Sequence, residues 1–130
     1  MKYSSFNFDV SIKVRNDEEA FFGPGLCELL KHVHKNSSLW KSCKQMKLSS
    51  SKAYKMLKNS ETALGYPLLI RQVGGNGGGY CLLTERGLWH LEQYTKLEQE
   101  TRLFMKNYLE EHSAEEFVEK EDSKIPIGEH

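Results

Sequence analysis

The chain has 130 residues, with 18 Lys or Arg balancing 18 Asp or Glu to a formal net charge of zero. That length argues for one domain able to bury a core without staples, while no apolar run is long enough for a helical membrane span and no apolar stretch follows Lys2, so the expected location is cytoplasmic with no membrane partner. Cys27, Cys43 and Cys81 are odd in number, far apart and without a CxxC pair, which argues against a disulfide framework or a zinc ribbon and leaves reduced thiols in apolar segments as the expectation.

Phe6, Phe8, Val10, Ile12 and Val14 alternate with Asn7, Asp9, Ser11, Lys13 and Arg15, the period of a strand with one buried face. Asn16, Asp17, Glu18 and Glu19 form a turn cluster, and Ala20-Phe21-Phe22 returns as a short partner strand before Gly23-Pro24-Gly25 breaks the pattern. A first helix follows, because Leu26, Leu29, Leu30 and Val33 fall at i, i+3, i+4 and i+7, with Cys27 beside the stripe. Asn36-Ser37-Ser38 offers capping oxygens to a short second helix carrying Leu39, Cys43 and Met46. Ser49-Ser50-Ser51 caps a third helix with Ala53, Leu57 and Leu64 inside, and its opposite face holds Ser50, Ser51, Lys52, Lys55, Lys58 and Asn59. Gly65 supplies a left-handed stop and Pro67 prevents continuation.

Two strand-like segments, residues 68–73 and 80–83, flank Gly74-Gly75-Asn76-Gly77-Gly78-Gly79. Five glycines in six positions lose too much backbone entropy to form a helix or a core strand, so the run is expected to be a hairpin tip. Thr84 then caps a long helix, and Glu85 suits its positive end. Leu88, Leu91, Tyr94, Leu97, Thr101, Phe104 and Tyr108 continue one apolar seam along that helix. Its projected length, roughly 40 Å at 1.5 Å per residue, exceeds what so small a domain can cover, so the seam is expected to combine packing on the domain with pairing to a second copy. Residues 113–130 are acidic and poor in large apolar side chains apart from Phe117 and Val118, so a domain over residues 1–112 followed by a mobile tail is expected.

Zero net charge conceals a strong segregation. Residues 31–86 contain ten Lys or Arg and only two acids, Glu61 and Glu85, whereas residues 92–129 contain eleven acids against five bases. Solvated helix faces usually interleave acids that pair with lysines one turn away; here those acids are missing, which favours an anionic partner. The order of short helix, tight turn, second helix and hairpin is that of a winged helix-turn-helix, an α+β fold that presents its second helix to the major groove. Ser49, Ser50, Ser51, Lys52 and Lys55 are the candidate groove residues, and Lys58, Arg71 and Asn76 the candidates for phosphate contact, with bracing of the wing as the other role open to Arg71.

Phe22-Gly23-Pro24-Gly25, Leu29-Leu30, Ala53-Tyr54, the glycine run and Leu83-Thr84-Glu85-Arg86-Gly87 resemble the N-terminal DNA-binding domain of ModE-type molybdate-responsive regulators. Residues 64–71 and the Leu-Thr-x-x-Gly ending also look like the LysR-type winged helix. The resemblance spans roughly residues 6–110 and implies a bacterial, homodimeric transcription regulator that binds double-stranded DNA, with the third helix in the major groove, the wing on flanking backbone and the long helix joining subunits. Where the family usually has lysine in the wing this chain has Asn76, and where it tends to have glycine in the helix-turn-helix this chain has Lys47, which is expected to adopt a left-handed conformation. The family's molybdate-binding domain does not follow, so neither molybdate nor tungstate is an expected ligand and no cofactor is expected.

The glycine run is not a nucleotide loop, because no GK[ST] follows and no GxGxxG can be found in it. His32 and His34 point to different faces of a helix, which argues against a metal site. No nucleophile, base or carboxylate pair has recognisable catalytic spacing, so an enzyme is not expected. The rival readings are a winged-helix module that docks an acidic protein without binding specific DNA, and a thiol sensor.

Overall fold

A computed structural model describes residues 1–72 and 79–119. These residues form a mixed α+β protein with four α-helices and two small antiparallel sheets. The chain divides into a larger unit, Ser11–Glu100, and a smaller one made of Met1–Val10 and Thr101–His130.

In the larger unit, β1 (Val14–Arg15) pairs with β2 (Ala20–Phe22), with Val14 opposite Phe22 and Arg15 opposite Ala20. The strand expected from Phe6 onward is therefore a strand only at its far end. The partner segment has three residues, so there is no ladder for residues 6–13 to join. The period of two persists as burial, since Phe8, Val10 and Ile12 are half-buried while Asn7, Asp9, Ser11 and Lys13 are exposed. Asn16 closes the β1–β2 turn by accepting from the backbone N–H groups of Glu18 and Glu19, both at 2.9 Å.

Helix α1 (Pro24–Asn36) opens on proline, whose missing N–H costs nothing in the first turn, and buries Leu26, Cys27, Leu29, Leu30 and Val33. Helix α2 (Leu39–Met46) is capped by Ser38, which accepts from the Lys41 N–H. Helix α3 (Ser50–Leu64) is capped by Ser49 and ends on Gly65 at φ +84°, as expected. Strands β3 (Leu69–Gln72) and β4 (Tyr80–Leu83) pair in register from Leu69 opposite Leu83 to Gln72 opposite Tyr80. Residues 73–78, which include most of the glycine run, lie outside the described residues. Ser37, left-handed at φ 56°, offers its carbonyl to the Cys81 N–H at 2.9 Å and so ties the α1–α2 turn to β4.

Helix α4 (Glu85–Glu111) begins where Thr84 was expected to cap it. The Thr84 hydroxyl accepts from the Gly87 N–H and donates to the Pro67 carbonyl, both at 2.9 Å. The core gathers one face of each helix around Leu29, Leu30, Val33, Leu57 and Leu68, all fully buried, with Phe22, Leu91 and Tyr94 closing its side. Each buried leucine contributes roughly 1.5–3 kcal/mol of transfer free energy.

In the smaller unit, a 3-10 turn spans Tyr3–Ser5, and Lys2 forms a bridge with Glu116. The Phe117 N–H donates to the Met1 carbonyl at 3.1 Å, and the N-terminal ammonium lies 3.3 Å from the Glu116 carboxylate. Glu116 and Phe117, in the segment expected to begin the tail, thus meet the chain's first residues. The Glu116 carboxylate supplies the partner for the terminal ammonium, and extended backbone at both ends supplies the hydrogen bonds. The rest of the expected tail, residues 120–130, lies outside the described residues. Among the described residues no helix is long and apolar enough to cross a membrane.

Candidate nucleic-acid interface

The turn between α2 and α3 is built by backbone hydrogen bonds. Lys47 is left-handed at φ 53°, as expected for the position; its N–H reaches the Lys44 carbonyl at 3.2 Å, and the Leu48 N–H reaches the Cys43 carbonyl at 2.9 Å. Behind the turn, Asn36 accepts from the Ser38 N–H at 3.1 Å and the buried Ser42 hydroxyl at 3.2 Å, while its amide donates to Gln45 at 3.2 Å. These bonds fix the angle at which α2 leaves α1. The sequence suggested only a cap here, because side-chain partners six to nine residues apart leave no local pattern.

With Ala53, Leu57 and Ser60 buried, a rotation of 100° per residue puts Ser51, Lys55, Lys58 and Thr62 on the outward face of α3, with Lys52 and Tyr54 on opposite flanks. Ser49, Ser50, Ser51, Lys52, Lys55 and Lys58 are all exposed. The Ser49 hydroxyl is engaged by the cap, accepting from the Lys52 N–H at 3.2 Å. Among the described residues, Lys41, Lys44, Lys47, Lys52, Lys55, Lys58 and Arg71 make no ion pair. The N-terminal half of α3 therefore presents hydroxyls and unneutralised ammonium groups together.

Lys58 has different surroundings. It lines a cleft of about 520 Å³ with Asn59, Thr62 and Ala63, whose other wall is Asn16, Asp17, Glu18 and Glu19. An acidic turn thus borders the C-terminal half of the outward face, and a phosphate at Lys58 would meet negative charge as well as positive. The sequence put Lys58 among the candidates for phosphate contact without this acidic neighbour, because residues about forty positions apart carry no sign of their proximity.

Arg71 packs its guanidinium over the ring of Tyr54, 5.1 Å from the centroid, so β3 is linked to a flank of α3. Asn76 lies outside the described residues. Along α4 the seam is divided: Leu91 and Tyr94 are buried in the core of the larger unit, Leu88 and Thr101 are half-buried, and Leu97, Phe104 and Tyr108 are exposed. Leu91 and Tyr94 thus face their own domain, Tyr94 also donating to the Ile12 carbonyl at 2.7 Å. The outer positions of the seam, Leu97, Phe104 and Tyr108, stay outside that core.

Burial raises the pKa of all three cysteine thiols, so the reactive thiolate is disfavoured at Cys27, Cys43 and Cys81. Burial lowers the pKa of His90, whose Nε2 is hydrogen-bonded with the Tyr66 hydroxyl. No family model matches this chain, and no curated protein is significantly similar to it. The functional reading therefore rests on the chemistry of the surface.

Proposed function

We propose that the larger unit works as a winged helix-turn-helix, and that the protein is a cytoplasmic, homodimeric regulator of transcription that binds duplex DNA. The observation that carries this reading is the N-terminal half of α3, where Ser50, Ser51, Lys52 and Lys55 stand exposed and, among the described residues, no acid pairs with either lysine. In that reading α3 enters the major groove by its N-terminal turns and the β3–β4 hairpin lies along the neighbouring backbone, bringing Arg71 toward phosphate. The outer seam residues of α4, Phe104 and Tyr108, join two copies, so the half-sites lie about one helical turn, roughly 34 Å, apart or a multiple of it.

The test is selection of purified protein on random duplex DNA near physiological salt, with the bound pool sequenced. An enriched inverted repeat is expected. A pool without a motif, with binding lost as salt rises, would leave the protein-docking module as the better reading.

A further inference from the structure

Two exposed aromatic rings interrupt the basic surface, and each carries a cation on its face. Trp40, on the first turn of α2, is 62% exposed, and the Lys44 ammonium sits 4.1 Å from its ring centroid. Tyr54, on a flank of α3, is 55% exposed beneath the Arg71 guanidinium. The two lysine–tryptophan partners lie four residues apart on one helix, whereas Tyr54 and Arg71 come from a helix and a strand, so the second pair brings together residues seventeen positions apart. Among the described residues the Trp40 indole N–H makes no hydrogen bond.

A cation laid on an aromatic ring is held in place yet keeps N–H donors outward, and the ring beside it stays apolar. A surface combining oriented donors with a flat apolar face matches the DNA backbone, where anionic oxygens alternate with the C–H faces of deoxyribose. Trp40 adds a donor of its own in the indole N–H. The two pairs lie on α2 and on the α3 flank, while the candidate groove residues lie on the first turns of α3.

We propose that Trp40 with Lys44 on α2, and Tyr54 with Arg71 on the flank of α3, are two backbone clamps that seat duplex DNA while the first turns of α3 read the groove. This rests on the DNA-binding reading above. In it Tyr54 is a positioning residue that acts through Arg71, and Trp40 touches the sugar–phosphate chain directly.

Tryptophan fluorescence tests the proposal, because the chain has only Trp40 and Trp89. In Trp89→Phe protein, a saturating DNA duplex selected as above is expected to quench and blue-shift Trp40 emission. Trp40→Ala is expected to weaken binding of that duplex about five-fold or more, with the same thermal midpoint as the parent because the ring is exposed. Tyr54→Ala and Arg71→Ala are each expected to weaken binding and lower the salt slope, and the double variant to be little worse than either single one. Binding of the duplex with silent Trp40 fluorescence, unchanged Trp40→Ala affinity and additive Tyr54 and Arg71 effects would overturn the clamps while leaving the DNA-binding reading standing. Tighter binding to single strands than to the duplex would overturn them too, by assigning the rings to base stacking. Failure of the parent protein to bind duplex at any salt would overturn both.

Discussion

The carboxylate of Glu61 accepts the backbone N–H of Leu68 at 2.6 Å, joining the last turn of α3 to the residue that leads into β3. An acid near a helix C-terminus is disfavoured by the helix dipole, and Glu61 is one of only two acids in the basic block. Its place is explained by Leu68, which is fully buried and whose N–H has no water to turn to.

Glu61→Ala is therefore expected to destabilise the protein by roughly 1–3 kcal/mol in urea unfolding, the usual cost of orphaning a buried donor. Glu61→Gln, which keeps an acceptor, should lose much less. If Glu61→Ala unfolds at the parent's midpoint, the α3–β3 tie is not structural.

Gly87 touches the same residue from the other side. A Cβ at Gly87 would stand 2.2 Å from the Leu68 carbonyl oxygen, a backbone atom that cannot swing away. Alanine for glycine inside a helix ordinarily stabilises by about 1 kcal/mol, so the sign of Gly87→Ala is decisive. We expect a loss of about 2 kcal/mol or more from the clash, seen as a lower thermal midpoint; a raised midpoint would mean that α4 does not approach Leu68 so closely.

The surface around α3 predicts unequal lysines. Lys52→Ala and Lys55→Ala should each reduce the slope of binding against salt by about one ion. Lys58→Ala should change it less, because Asp17, Glu18 and Glu19 share its cleft. Converting those three acids to Asn and Gln should raise affinity for duplex DNA and bring Lys58 into the salt slope. Identical titrations for all of these variants would remove α3 from the interface.

His90 predicts a dependence on acid. Burial lowers its pKa below the ordinary 6.5, so as pH falls through that value the unfolded chain takes up a proton that the folded chain does not. Stability contributed by neutral His90 is then fully present above about pH 6.5 and declines as pH falls from there toward the lowered folded pKa. The fall in thermal midpoint between pH 7.5 and 5.5 should be smaller in His90→Gln than in the parent. An equal fall in both proteins would place the acid sensitivity elsewhere.

The sequence by itself determined the helices, their caps and the charge segregation, because each is a local matter. Leucines at helical spacing mark α1, serine oxygens within reach of N–H groups three residues on mark the starts of α2 and α3, and Gly65 and Thr84 mark a stop and a start. The left-handed Lys47 was anticipated only through the resemblance to a family that tends to have glycine at that position. The alternation of residues 6–15 was legible as burial, but its extent as a strand depended on how many partner residues β2 could offer. Only the tertiary structure decided which parts of these elements meet: Glu61 and Gly87 both on Leu68, Asp17 to Glu19 beside Lys58, Arg71 over Tyr54, and Leu91 and Tyr94 turned into their own core. Periodicity reports which face of an element is apolar, but what that face packs against, and which charges share a surface, follow from contacts between residues far apart in the chain.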